Sequence, residues 1–300
     1  MEPSHCRRGG AYARIPAMKG LLLAGLALGL MIGAVGAEPL MKARIVANYS
    51  VDSRLSGKDP VKALRRFLDY GGEAAKAGRF TPNPDFWAKG VDFSCASMWN
   101  SQGGNTRAGT AVTPRHVVFA NHYPLQPGVR LDFLGTDRKV HSRKLVATRR
   151  VSNTDLMVGA LDADLPGTVH PAPILPADYA TYLGSGADLP CVAFDYEEKA
   201  IVVELMAIPR TRTATDIRTR PSSKPDRLRF FERLGMGDSG NPVFLVMNED
   251  VILLFTGFRG YGDGAPSGPS PTLLRSLLQY EMDQLVPGYR LREYDFSSYR

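Results

Sequence analysis

Gly237-Asp238-Ser239-Gly240-Asn241-Pro242 is the stretch that decides the fold, because two further segments upstream complete its chemistry. The first runs from Gly109 to His122 and ends in Ala-Asn-His. The second, Asn153-Thr154-Asp155-Leu156-Met157-Val158, places an aspartate before an apolar run. A serine is a poor nucleophile without an adjacent base, and a histidine oriented by a carboxylate supplies one. The three segments therefore predict acyl-transfer chemistry.

The order of these residues along the chain separates the known versions of this arrangement. His122, Asp155 and Ser239 follow one another as His, Asp, Ser. Subtilisins use the order Asp, His, Ser, and α/β-hydrolases use Ser, Asp, His. No histidine follows Ser239, and Asn241 breaks the Gly-x-Ser-x-Gly pattern, so an esterase of the α/β-hydrolase type is excluded.

The segments resemble those of the chymotrypsin/trypsin-like serine peptidases, over roughly residues 93 to 285. In that family a Gly-Thr strand leads to Ala-Ala-His, the aspartate sits in Asn-Asp-apolar, and the serine sits in Gly-Asp-Ser-Gly-Gly-Pro. The resemblance implies an all-β fold of two antiparallel β-barrels of the chymotrypsin type, with a C-terminal helix. It implies a serine endopeptidase that acts on protein or peptide substrates through an acyl-enzyme and needs no cofactor or metal.

The same resemblance assigns the site residues. His122 is the base, Asp155 orients it, and Ser239 is the nucleophile. The backbone N–H groups of Gly237 and Ser239 form the oxyanion hole. Arg233 matches the residue at the base of the specificity pocket, where it would favour substrates with acidic side chains. The strand edge formed by Thr256, Gly257 and Phe258 would bind the substrate backbone.

Two departures from the family pattern bear on whether activity is retained. Asn121 stands where alanine is usual, and Asn241 stands where glycine is usual. Asp238 in the family pairs with a freed amino terminus. The triplet Arg44-Ile45-Val46 is similar to that activation site but lies too far upstream, so we expect an arginine such as Arg233 to pair with Asp238 instead. The alternative function is a latent or non-catalytic protein that keeps the fold and acts by binding.

The N-terminus indicates export. Leu21 to Val35 is an apolar run preceded by Lys19 and followed by the small residues Val35-Gly36-Ala37, the pattern of a signal peptide over residues 1–37. Met18 is an alternative start, because a signal peptide of ordinary length begins there. An uncleaved membrane anchor is the alternative, but the run is short for a membrane span. We expect a secreted or periplasmic protein with no membrane association after cleavage.

Composition is that of an ordinary globular protein, with a net charge of +7. The arginines are spread over the chain and no nucleic-acid module is present, so nucleic acid is not expected as a partner. No His, Cys and Asp cluster has metal-ligand spacing.

Cys95 and Cys191 are either a disulfide or two buried free thiols, and the sequence does not separate these alternatives. Nothing indicates the oligomeric state.

Short strand patterns and one helix pattern set the expected organisation. Residues 38–90 form an N-terminal extension, irregular to residue 60, with a helix from Asp59 to Leu68. Residues 91–285 form the peptidase domain, with a first barrel over about 91–165, a link over 166–188, and a second barrel and helix over 189–285. Residues 286–300 form a tail. The expected strands are 91–99, 108–113, 117–120, 129–133, 144–149, 156–161, 191–194, 200–208, 228–231, 242–246 and 251–258, with a helix over 272–285.

Overall fold

The computed structural model describes residues 20–69, 80–97, 108–209, 215–257, 259–260 and 262–300. The contacts divide the chain into one unit over Met1–Glu38 and a second over Pro39–Arg300. Among the described residues, no helix combines the length and the apolar character needed to cross a membrane. The α-helices within the described residues are α1 (Gly20–Leu55), α2 (Pro60–Ala63), α3 (Tyr179–Leu183), α4 (Pro225–Leu228) and α5 (Arg275–Leu285).

The first sheet is formed by five described strands that precede the link. Their order across the sheet is β1-β2-β5-β4-β3, and every neighbouring pair is antiparallel. Strand β2 is buried along its whole length, which explains why it reads as a continuous apolar run rather than an alternating one. The strands are β1 (Thr110–Ala111), β2 (His116–Ala120), β3 (Arg130–Leu134), β4 (Val140–Arg150) and β5 (Leu156–Leu161).

The second sheet has seven strands in the order β10-β9-β6-β7-β8-β12-β11. Both sheets are curled antiparallel half-barrels, and helix α5 packs on β4 and β5. The all-β fold class is therefore confirmed, and the arrangement is consistent with two barrels of the chymotrypsin type. The strands are β6 (Pro190–Phe194), β7 (Ala200–Ala207), β8 (Asp216–Arg220), β9 (Pro242–Met247), β10 (Asp250–Thr256), β11 (Arg259–Gly260) and β12 (Pro266–Pro269).

Several strand predictions are wrong in detail. Residues 91–97 contain no strand, and Ala96 makes only an isolated bridge to Thr110. The expected strand 228–231 is instead the end of α4 and a turn. Strands β8, β11 and β12 are additional to the predicted set. The sequence of β12, Pro-Ser-Gly-Pro, consists of residues that are typical of turns.

The N-terminal extension differs most from expectation. Residues 39–55, expected to be irregular, belong to α1, while the expected helix 59–68 ends after the single turn α2. Asp59 caps that turn through its side chain, as its sequence position predicts. Beyond it, Arg65 bridges to Lys199 and Phe67 bridges to Pro82, so pairing with distant segments overrides the local helix pattern.

A buried arginine joins α1 to the second sheet. Arg227 is fully buried; it donates to both carboxylate oxygens of Asp52 at 2.6 and 2.8 Å and to Asn48 Oδ1 at 2.6 Å. It also donates to Glu204 Oε1 of β7 at 3.1 Å. A buried charge is tolerated when it is paired and hydrogen bonded. The C-terminal part of α1 is thereby an integral part of the second unit.

Cys95 and Cys191 are buried free thiols, so the predicted alternative of a disulfide between them is wrong. Cys95 packs in the core cluster that contains Phe119, whereas Cys191 packs in a separate cluster with Leu245. Burial raises the pKa of Cys95 to about 12 and raises that of Cys191 as well. Both side chains therefore stay protonated and act as small apolar groups.

The C-terminal tail is docked onto the domain rather than free. Tyr294 is hydrogen bonded to Ile174 through the backbone, since Tyr294 N donates to Ile174 O at 2.9 Å. Phe296 stacks on Tyr182 with ring centroids 4.9 Å apart. Residues 291–299 therefore belong to the folded unit.

Candidate active site

His122 and Asp155 are placed side by side by one strand pair. Strand β2 ends opposite the start of β5, with Ala120 facing Leu156. The chain continues this pairing one step further, because Asn121 N donates to Asp155 O at 2.8 Å. His122 N donates to Asp155 Oδ1 at 2.8 Å, and His122 Nδ1 lies 2.6 Å from Oδ2. Both oxygens of the carboxylate are thus used to fix one histidine.

The turn before Asp155 is built from residues suited to it. Asn153 has φ 57°, a left-handed conformation that asparagine adopts more readily than most residues. Thr154 Oγ1 donates to Val151 O at 2.7 Å and accepts from Leu156 N at 3.2 Å. This side-chain bonding closes the β4–β5 connection and leaves Asp155 at the entry of β5.

Ser239 reaches the histidine from the other sheet. It lies in the loop before β9, and its Oγ is 2.9 Å from His122 Nε2. Gly240 has φ 92°, and a Cβ built on it would lie 3.4 Å from Ala120 N at the end of β2. Glycine therefore permits both the backbone turn and the close approach of the two sheets.

The distances around His122 favour one assignment of the protons. An ionised carboxylate can only accept, so Asp155 selects the tautomer with the proton on Nδ1. His122 Nε2 is then an acceptor aimed at the Ser239 hydroxyl, which is the arrangement needed to remove its proton. The side chain of His122 is 42% exposed and that of Asp155 only 19%, so the orienting group is sheltered while the base remains open to a substrate.

The proposed oxyanion donors lie in the same loop. Gly237 has φ 104°, which larger residues resist. Asn241 N donates to Asp238 O at 3.2 Å, and Gly240 N donates to Gly257 O at 2.6 Å. These bonds hold the turn in which Gly237 and Ser239 lie.

Asp238 is not paired with Arg233, contrary to expectation. Its Oδ1 accepts from Tyr196 N at 2.7 Å, and its Oδ2 accepts from Gly235 N at 2.6 Å. Burial raises the pKa of Asp238, and these two backbone donors oppose that effect. Arg233 is exposed and donates to Gly262 O at 2.6 Å.

The other proposed substrate-binding residues lie against the serine loop. Thr256 ends β10 opposite Pro242, and Gly257 N donates to Asn241 O at 2.8 Å. Thr256 O lies so close to Gly268 that a Cβ on Gly268 would be 2.0 Å from it, which explains a glycine in β12. Phe258 lies outside the described residues.

The two asparagines behave differently. Asn121 is partly exposed and uses its backbone N–H to hold Asp155, so its side chain does not enter the core. Asn241 is buried, and among the described residues its Nδ2 has no hydrogen-bond partner. A buried amide without a partner costs stability, so Asn241 is a local weak point next to the nucleophile.

His116, the other histidine in the same region, is not part of the site. It is fully buried at the start of β2, and its Nδ1 lies 2.9 Å from Thr113 Oγ1. Burial lowers its pKa to about 4, so it is neutral at physiological pH and serves the core.

Sequence comparisons add no assignment to this geometry. Neither the scan against protein-family models nor the search of curated proteins finds a match for this chain.

Proposed function

We propose that the chain is a serine endopeptidase of the chymotrypsin/trypsin-like type, which hydrolyses peptide bonds through an acyl-enzyme. The observation that carries the proposal is the continuous series from Asp155 through His122 to Ser239, with distances of 2.6 and 2.9 Å. Residues from three separate sequence segments meet in the order and geometry that nucleophilic catalysis requires.

In this mechanism His122 Nε2 takes the proton of Ser239 as Oγ attacks the scissile carbonyl carbon. The tetrahedral intermediate carries its negative charge on the former carbonyl oxygen, toward the N–H groups of Gly237 and Ser239. The imidazolium formed on His122 is stabilised by Asp155 and then protonates the leaving amine. Water repeats the sequence on the acyl-enzyme and releases the acid product.

Two finer statements belong to the same proposal. Arg233 lies in the loop that leads to Ser239, and its positive charge would favour glutamate or aspartate before the scissile bond. The apolar run Leu21–Val35 would direct export, so that the enzyme acts outside the cytoplasm.

The test uses the chain from residue 38 and a fluorophosphonate, read by intact mass. We expect one adduct on the wild type and none on Ser239→Ala, because only an activated serine reacts. A wild type that is folded but forms no adduct would contradict the proposal and favour the binding alternative. If the wild type forms the adduct, hydrolysis of a peptide library with Glu or Asp before the cleaved bond defines the substrate preference.

A further inference from the structure

The Asp238 carboxylate is held by backbone donors from two different segments. Gly235 N belongs to its own loop, but Tyr196 N belongs to the turn between β6 and β7, 42 residues away in sequence. We call this turn, residues 195–199, the hairpin tip. Because Asp238 directly precedes Ser239, the position of the Tyr196 N–H affects the loop that carries the nucleophile.

Asp195 shapes the hairpin tip from inside. It is buried, and its Oδ1 accepts from Glu197 N and from Lys199 N, each at 2.8 Å. Glu198 N donates to Asp195 O at 3.1 Å, and Glu198 has φ 58°. One side-chain oxygen thus binds two N–H groups of a turn that contains a non-glycine residue in the left-handed region, which local propensity disfavours.

Residues 64–66 of the N-terminal extension hold the hairpin tip from its outer side. Arg66 N donates to Glu198 O, and Ala200 N donates to Leu64 O, both at 2.9 Å. Arg65 pairs with Glu197 at 2.6 Å. The tip therefore lies between the extension and the nucleophile loop, and each of its sides is hydrogen bonded to one of them.

We propose that Asp195 is a positioning residue for the nucleophile loop, acting through the hairpin tip that residues 64–66 fix in place. The inference rests on the proposed function. It gives the N-terminal extension a supporting role at the nucleophile loop. It also explains how Asp238 is satisfied without a freed amino terminus, since Arg44, Ile45 and Val46 lie within α1 and the Arg44 guanidinium donates to Leu183 O and Ala187 O.

The first test compares Asp195→Ala with Asp195→Asn. Asparagine keeps an oxygen that can accept from Glu197 N and Lys199 N, whereas alanine removes it. We expect the alanine variant to react with a fluorophosphonate about tenfold more slowly, the loss expected for one or two hydrogen bonds. The asparagine variant should stay close to the wild type. Hydrogen exchange of the peptide covering 233–241 should be faster in the alanine variant alone.

A second pair of variants addresses the same contact if Asp195→Ala does not fold. Tyr196→Pro removes the N–H that Asp238 Oδ1 accepts, and Tyr196→Ala keeps it. We expect slower labelling and faster loop exchange with proline, and neither with alanine. Circular dichroism confirms that each variant is folded.

The outcomes separate the two proposals. Equal labelling and equal loop exchange in Tyr196→Pro and Tyr196→Ala would overturn the positioning role. An unreactive wild type, with loop exchange still faster in Asp195→Ala or Tyr196→Pro, would contradict the proposed function and leave the positioning role supported.

Discussion

The two halves of the site are held in different ways. His122 and Asp155 sit at adjacent ends of one strand pair, so the β2–β5 register alone brings them together. Ser239 depends on a loop whose shape is set by Asp238, the hairpin tip and the edge of β10. The histidine side is thus a local consequence of pairing, whereas the serine side depends on contacts among several distant segments.

The largest effect is expected from a substitution in the half of the site that holds His122 and Asp155. Asp155→Asn keeps the size of the side chain, but its amide donates where the carboxylate accepts and favours the wrong imidazole tautomer. We expect kcat to fall about 10⁴-fold, as in the best-studied triads. The variant should keep its thermal stability, because the β2–β5 backbone pairing does not depend on the carboxylate. Unchanged peptide hydrolysis in this variant would show that Asp155 does not orient His122.

The second prediction concerns pH and the buried carboxylates of the serine side. Burial, together with nearby Asp238, raises the pKa of Asp195 to about 7 from its ordinary value of 3.8, although Lys199 opposes the shift. The folded state then keeps a proton that the unfolded state releases, so the free energy of unfolding falls as the pH rises from about 4 to about 7.

Asp195→Asn removes this titration. At about 1.4 kcal/mol per pKa unit, the variant should gain a few kcal/mol relative to the wild type by pH 8 and little at pH 4. Urea denaturation at both pH values measures the difference. A stability difference that is the same at pH 4 and pH 8 would refute the assignment. The charged groups around the hairpin tip are Asp238, Lys199, Glu197, Glu198, Glu232, Arg65 and Arg66.

The third prediction concerns the contact between the two halves. Gly240→Ala adds a Cβ 3.4 Å from Ala120 N on a residue with φ 92°. We expect a loss of about 1–3 kcal/mol in stability from the strained backbone and slower fluorophosphonate labelling. Gly57→Ala is the matched control, since Gly57 also has positive φ but no atom lies within 4 Å of its Cβ position. The control should lose stability without losing labelling rate.

The smallest expected effect is on substrate preference. Arg233→Ala should lower kcat/KM about tenfold for peptides with glutamate before the cleaved bond, because one favourable charge contact is lost. Peptides with an uncharged residue there should be hydrolysed as before. An equal loss for both peptide classes would mean that Arg233, through its bond to Gly262 O, supports the loop rather than selecting the substrate.

The contrast between local pairing and contacts among distant segments also explains which parts of the site can be predicted from the sequence. His122, Asp155 and Ser239 are recognisable because each sits in a short motif beside an apolar strand. The hairpin tip is not, since Asp195-Tyr196-Glu197-Glu198-Lys199 reads as an ordinary polar turn and its partners are distant in sequence. The helix expected over 59–68 is wrong for a similar reason. Local spacing favours a helix there, but pairing of Arg65 with Lys199 and of Phe67 with Pro82 decides the outcome.

The Arg227 cluster has a consequence for the order in which the chain folds. Asp52 and Arg227 are 175 residues apart in the sequence. Asp52, near the end of α1, therefore leaves the ribosome long before the arginine that neutralises its charge has been synthesised. Loop closure over such a distance is entropically costly and slow. We therefore expect the C-terminal end of α1 to dock only after Arg227 has been synthesised, as a late step of folding.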